Sequence, residues 1–509
     1  MTLWLALCLP ALPLQLAERA LVRAGPLAIL DGPRQRPVVV YCNAAAAAAG
    51  ISGGQKLAAA QALARDLMAL ERSPERERAA LHELACWAYQ FSAQIVSFST
   101  AAASGLLLET GASRRLFAGH DALHRRIARG LRGLGYQAAF GYASTPRAAQ
   151  LIGLARTQSL PTRDAFEPAE LQSALAPLPL ALLDWDAATL AMLQALGFNR
   201  IGDLLALPRD AFGRRFGARP LQDLDRALGR QPDPQTPFFP PDRFDASLEL
   251  PADLIETAQL QWPAQRLLGA LEGFLRGRNA GATELLFTAQ HSARHAQPAA
   301  ATRIVLKLAS PERAAARLAR LLAEQLTRVQ LPQPAVALQL TVERLLPFAP
   351  APASLLPPAP GAPHGTDWLQ LAETLHARLG SERVFQLQAV DDHRPEYAFR
   401  VTPVAVAVDG SAAATPSSVP APAAEQRPLL LLPAPQALDC GTDTPRHGGP
   451  LTLLIGPERI ESGWWDLGDA RRCAVHRDYF VARNPRGQML WVYRELAAPR
   501  GWFLHGFFS

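Results

Sequence analysis

Three proline-rich stretches divide this chain of 509 residues more firmly than any other feature of its sequence. Residues 231–242 read QPDPQTPFFPPD, residues 349–363 are mostly Pro and Ala, and residues 411–425 are Ala, Pro, Ser and Thr. Proline fixes φ and lacks a backbone donor, so none of the three holds a helix or a central strand. The first reads as a tether between folded bodies. The other two also lack the apolar groups needed to order them, and 411–425 is expected to be disordered. The chain is longer than one hydrophobic core supports, so the segments between the tethers are separate domains.

Within the first segment, residues 3–9 read as a buried strand closed by Pro10, followed by a helix at 14–22 and a strand at 37–41. An alanine run at 44–49 and the turn 50–54 lead to helices at 57–70 and 75–91. Strands at 95–98 and 105–109, a helix at 121–134, a strand at 137–142 and a helix at 145–157 complete it. Thr145 and Pro146 suit the cap and first position of that last helix. Mixed strands and helices over 1–165 predict one α/β body. The pattern over 166–232 is helical. Residues 243–348 read strand, helix, strand, strand, helix, strand, the split pattern of a ferredoxin-like layer. Residues 366–509 hold a helix at 367–379 and then the aromatic blocks WWDLG, RDYFVAR, MLWVYR and WFLHGFF, which predict a small β-rich domain. The fold class expected is multidomain α/β and α+β.

Lys plus Arg number 51 against 45 Asp plus Glu, a formal charge of +6, which permits a polyanionic partner without requiring one. Cys8, Cys42, Cys86, Cys440 and Cys473 form no CxxC pair, so neither a zinc site nor a disulfide scaffold is indicated. Residues 1–16 are apolar but lack a cationic start and contain Pro10 and Pro13, unlike a secretory signal. No apolar window of bilayer length appears either. The expectation is a soluble cytoplasmic protein with no metal, no cofactor and no membrane partner.

Two features point to nucleic acid. Residues 196–208, LGFNRIGDLLALP, have the form of a helix-hairpin-helix, whose glycines let amides at the second helix face a phosphate. Gly197, Arg200 and Gly202 are the candidates there, with Arg209, Arg214, Arg215 and Arg219 adding Coulomb attraction downstream. In 243–348, Arg276, Arg278, Arg294, Arg303 and Lys307 lie near or on neighbouring strands, so a sheet face carrying them would lie along DNA. The aromatic residues of the last segment read mainly as core, and 391–396, DDHRPE, reads as a charged turn packed on its neighbour rather than a ligand set around His393.

The residues Gly50-Ile51, Leu57, Ala60 and Leu63, then Gly141-Tyr142-Ala143-Ser144-Thr145-Pro146, then the hairpin and the split α/β unit, resemble in order and separation the Y-family (UmuC-like) translesion DNA polymerases. The blocks 391–396, GPERIESGWWD at 456–466 and RDYFV at 477–481 resemble more narrowly the ImuB-like branch of that family. The resemblance implies a right hand. Palm and fingers occupy 1–165 (fingers about 26–75), a helical thumb 166–232, a linker 233–242 and a little finger 243–348. A Pro/Ala linker at 349–365 and a partner-binding region at 366–509 follow.

Phosphoryl transfer by a polymerase needs carboxylates on adjacent strands to hold two divalent ions. The positions the resemblance assigns to them hold Ala6 or Cys8 on the first strand and Ser104 and Gly105 on the second, with Glu109 left as the outer acid. The Tyr and Arg that clamp the triphosphate fall on Ala44 and Ala47, which supply no donors. The implied protein is not an enzyme but a DNA-binding scaffold for error-prone repair synthesis. Its implied partners are the sliding clamp, an error-prone C-family polymerase and a RecA-like protein. Leu355 and Leu356 occupy the place of the family's clamp-binding peptide, without its Gln and Phe. An active Y-family polymerase is the alternative reading.

Overall fold

The computed structural model describes residues 2–19, 25–33, 35–292, 301–349, 365–403, 427–428, 430–441, 444–465 and 474–508. They fall into two compact units, 1–378 and 379–509.

The first unit begins with β1 (Trp4–Leu9), buried at every residue. Pro10 ends it and α1 (Leu12–Glu18) follows, with Pro13 in its first turn. Strands β2 (Leu27–Asp31) and β3 (Val38–Cys42), helices α2 (Ala44–Ala48) and α3 (Leu57–Leu63), and strand β4 (Met68–Glu71) form a lobe of their own. Its sheet runs β3-β2-β4, over a small core of Ala28, Leu30, Val39, Ala46, Ile51 and Ala60. The helix expected across 57–70 stops at Leu63, because residues 68–71 pair in parallel with β2. That strand pairing overrides a helical local pattern.

Next come α4 (Pro74–Ala88), β5 (Ile95–Ser99), β6 (Ser104–Glu109), α5 (His120–Gly133), β7 (Ala139–Ala143) and α6 (Pro146–Thr157), the last capped by Thr145 as the sequence predicts. The antiparallel sheet runs β5-β6-β1-β7. Helices cover both of its faces, which is why β1 reads as an unbroken apolar run. Leu5, Leu7 and Leu9 enter the core shared with α4 and α5, while Ala6 and Cys8 enter the core shared with α6.

A helical stretch follows: α7 (Leu171–Leu175), α8 (Ala187–Ala195), α9 (Ile201–Leu205), α10 (Arg209–Phe216) and α11 (Ala218–Ala227). Residues 231–242 hold no helix or strand, as their prolines dictate, yet they are anchored: the Phe238 amide donates to Ile95 O at 2.7 Å and the Arg278 guanidinium to Pro240 O at 2.6 Å.

Beyond them lie β8 (Phe244–Leu254), α12 (Gln261–Gly277), β9 (Ala280–His291), β10 (Thr302–Glu312), α13 (Ala315–Leu326) and β11 (Ala335–Val342), the predicted order of elements. The sheet runs β10-β9-β11-β8, so the second and fourth strands are central. In a ferredoxin-like layer the first and third are central. The split pattern holds and the ferredoxin-like arrangement does not, because β11 inserts beside β8 and leaves β8 at the edge. Helix α12 packs on α4 through glycine: a Cβ at Gly273 would stand 2.2 Å from Trp87, and one at Gly130 of α5 would stand 2.3 Å from the same ring. Short β12 (Leu346–Pro347) pairs with β9, and α14 (Gly365–Leu379) follows.

The second unit opens with the ribbon β13 (Phe385–Ala389) and β14 (Phe399–Pro403). Strands β15 (Leu430–Cys440), β16 (Pro445–Arg446), β17 (Thr452–Ser462), β18 (Val475–Arg483), β19 (Met489–Glu495) and β20 (Gly501–Phe507) form one antiparallel sheet, ordered β16-β15-β20-β19-β18-β17. This is the β-rich domain the aromatic blocks predict. Tyr479, Trp491, Tyr493 and Trp502 are buried in it, and the rings of Tyr479 and Trp491 stack at 4.2 Å. Trp464 and Trp465 remain 71% and 54% exposed. The turn at 391–396 is tied in by its charges. Arg394, almost fully buried, is held by Asp392 at 2.8 Å, and Glu396 accepts from Arg477 of β18 at 2.8 Å.

Candidate nucleic-acid interface

The strands that would carry a polymerase's carboxylates lie side by side. Cys8 pairs with Gly105 and Leu9 with Ser104 across β1 and β6, whereas Ala6 pairs with Leu107. Cys8 is therefore the residue that meets the acidic-pair positions. Its thiol faces α6, where a Cβ on Gly153 would stand 2.6 Å from Sγ, and burial pushes the thiol far above its ordinary pKa. At Gly105 an added Cβ would stand 2.0 Å from Leu7 O and 2.8 Å from Phe98 Cζ. Backbone and ring leave no volume for an acidic side chain there. Ser104 bonds Ser99 at 3.0 Å between the two hydroxyls. Glu109 accepts the amides of Leu3, Gly111 and Ala112 at 3.2, 2.9 and 3.3 Å, so it closes the end of the strand pair. Among the described residues no group of three or more His, Cys, Asp or Glu is placed to hold a metal ion.

The alanine run forms α2. Its cap, Asn43, accepts the amides of Ala46 at 2.9 Å and Leu27 at 3.1 Å and donates to Gly25 O at 2.8 Å. Ala44 and Ala47 are exposed methyl groups.

The hairpin at 196–208 has the expected helix-turn-helix outline, with Gly197 at φ +87°. The amides of residues 197–202, however, all donate within the molecule. Gly197 and Phe198 donate to Gln194 O and Leu193 O, Ile201 to Leu178 O and Gly202 to Ala176 O. Asn199 and Arg200 both donate to Asp203 at 2.9 Å, and these bonds hold the Asp203 carboxyl below its ordinary pKa. Gly202 serves close packing, since its Cβ would stand 3.0 Å from Ala176 O. The amide cradle expected from the glycines is thus occupied, and phosphate contact at this hairpin falls to side chains. Arg200, Arg214, Arg215 and Arg219 are exposed, while Arg209 is held bidentately by the buried Asp225 at 2.6 and 2.5 Å.

Within residues 243–348, Arg303 and Lys307 share one exposed face of β10. Register places Glu284 opposite Lys307, and Asp245 and Glu249 of β8 fall on the same face across β11. Arg276 and Arg278 belong to the end of α12, in the helical layer behind the sheet, and Arg278 is spent on the carbonyls of Pro240 and Pro241. The single basic face expected from the sequence is therefore two separate groups, and Arg294 lies outside the described residues, as do Leu355 and Leu356. A further basic stretch lies at 111–136, where six arginines accompany one acid, Asp121. Counting charge in windows, instead of along the expected DNA-binding modules, would have found it. Among the described residues no helix is long and apolar enough to cross a membrane.

Comparison with known proteins bears directly on this geometry. Residues 11–153 match the model of the impB/mucB/samB family. The chain is 30% identical over 497 residues to Protein ImuB of Caulobacter vibrioides, in strain NA1000 / CB15N and equally in strain ATCC 19089 / CIP 103742 / CB 15, covering 90% of this chain and 100% of that protein. This chain belongs to the ImuB family. Among solved structures it is similar to the insertion ternary complex of Dbh DNA polymerase (13% identity, TM-score 0.38, 68% of this chain and 99% of that one). It is also similar to DinB from Sulfolobus solfataricus (14% identity, TM-score 0.35, 69% and 100%). The chain is a DNA-repair protein related to the Y-family polymerases. Where β1 meets β6 the paired residues Cys8, Gly105 and Ser104 include no carboxylate.

Proposed function

We propose that this ImuB-family chain is a scaffold for error-prone translesion synthesis, holding primer-template DNA while a separate C-family polymerase supplies the chemistry. The observation that supports the reading is the filled space around Gly105, where Leu7 O and the Phe98 ring leave no room for an acidic side chain, in a chain related over nine-tenths of its length to ImuB. On this reading residues 1–165 are palm- and fingers-like, 166–232 a thumb, 243–348 a little finger, and 366–509 the region that recruits a RecA-like partner and the polymerase. Exposed Arg200, Arg214, Arg215, Arg303 and Lys307 contact the DNA backbone, which positions the protein without reading sequence. Leu355 and Leu356 dock in the sliding clamp as paired apolar anchors.

The test has two parts. With magnesium and all four deoxynucleotides, the purified chain is expected to bind a labelled primer-template and leave the primer unextended; extension would establish the active-polymerase alternative. The chain is also expected to retain the cognate clamp in a pull-down, with retention lost on Leu355→Ala plus Leu356→Ala. Equal retention by the variant would move the clamp contact to another part of the chain.

A further inference from the structure

A cluster of positive charge lies on and just before a helix that the DNA-binding reading does not use. Residues 111–136 carry Arg114, Arg115, Arg125, Arg126, Arg129 and Arg132 against Asp121, a formal +5 in a chain whose total is +6. Leu123, Ile127 and Leu131 form the buried stripe of α5, which leaves Arg125, Arg126, Arg129 and Arg132 exposed. Among the described residues none of these four has an acidic partner, although Arg72, Arg147, Arg209, Arg317 and Arg477 all do. Seven residues of helix place Arg125 and Arg132 about 10 Å apart, a row of guanidinium groups along one side.

That row borders an open groove between α5 and α12. Trp87 forms its floor, with Gly130 and Gly273 against the ring. Arg126 and Arg129 stand on one wall, with Arg276 and Arg313 among the other lining residues. The acid of the groove, Glu272, is occupied by Arg276 at 2.5 Å and the Ala315 amide at 3.3 Å. Guanidinium groups bind phosphate oxygens in pairs, and a groove bordered by several of them suits a chain of evenly repeated negative charge. Packed helices stand about 8–10 Å apart, too close to admit a duplex between their outer faces.

We propose that the groove between α5 and α12 holds the phosphate backbone of a single nucleic-acid strand. This extends the DNA-binding reading above to a surface that reading leaves idle. The experiment uses the full chain and a fluorescent oligothymidylate of about twenty nucleotides, followed by anisotropy over a series of salt concentrations. Arg126→Ala plus Arg129→Ala is expected to weaken binding at least tenfold and to lower the slope of log K against log salt by about 1.4, two phosphate contacts at ~0.7 each. Arg126→Lys plus Arg129→Lys should recover most of the slope. Arg65→Ala plus Arg328→Ala, which removes two exposed arginines outside the groove, should leave single-strand binding within about twofold. Matching melting temperatures establish that the variants are folded. Unchanged affinity and slope in the alanine variant would overturn the groove and leave the DNA-binding reading standing; a parent chain that binds neither single strand nor duplex would overturn both. If polyglutamate binding required Arg126 and Arg129 while oligothymidylate binding did not, the groove would be a protein-docking face and the proposal would fail.

Discussion

A carboxylate restored at position 105 has nowhere to go. The Cβ alone would stand 2.0 Å from Leu7 O in a strand paired on both sides, with β1 and β5, so the clash is with backbone that cannot rotate away. Gly105→Asp is expected to lower stability by about 2–3 kcal/mol or more, read as a fall in the urea midpoint. Combined with Cys8→Asp it should still give no primer extension. A stable, extending double variant would mean that the strands part readily and that the loss of chemistry is only as deep as the missing acids. At this scale the sequence already names the positions expected to lack carboxylates, because residue types are visible without coordinates. It left Ala6 and Cys8 open, since strand register is a long-range fact, and the register puts Cys8 opposite Gly105 and Ala6 opposite Leu107. The hairpin shows the same limit. Its glycines were legible, but the carbonyls of Leu178 and Ala176 that occupy its amides come from more than twenty residues upstream.

Helix and strand order was largely legible because periodicity and turn residues act locally, as at α6 with its Thr145 cap and Pro146. What pairs with what was not. The ferredoxin-like expectation failed on the placement of β11, and the helix at 57–70 failed where β4 joins β2. One contact between elements gives a pH test. Glu83 of α4 lies against β8, where its Oε1 accepts the Ser247 amide at 3.4 Å. Burial pushes its carboxyl up to about 7 from an ordinary 4.5, with Arg19 and the Ser247 amide opposing. Between those values the folded chain keeps a proton that the unfolded chain releases, so this group's contribution falls as pH rises through the window. Glu83→Gln keeps the acceptor and removes the titration. It is expected to match the parent near pH 4 and to exceed it at pH 8 by about 1–3 kcal/mol, measured by urea unfolding at both pH values. An advantage at pH 4 that vanishes at pH 8 would reverse the sign and place the charged carboxylate in a favourable site.

The whole molecule poses the question of whether net charge or its placement governs binding to polyanions. A total of +6 spread evenly over 509 residues would give a weak field, whereas +5 within residues 111–136 makes a local one whose range at physiological salt is about 8 Å. The two cases separate under equal charge removal. Arg125→Gln, Arg129→Gln and Arg132→Gln take the formal charge from +6 to +3, and so do Arg65→Gln, Arg328→Gln and Arg383→Gln, which remove three exposed arginines from elsewhere in the chain. On a heparin column the α5 variant is expected to elute at clearly lower salt than the parent, and the scattered variant close to the parent. Equal shifts would assign the affinity to net charge, and the row on α5 would then be an ordinary solvated helix face. The composition alone pointed to neither outcome, because a sum over the chain discards position. The fold supplies it by burying Leu123, Ile127 and Leu131 and turning the arginines between them to one side.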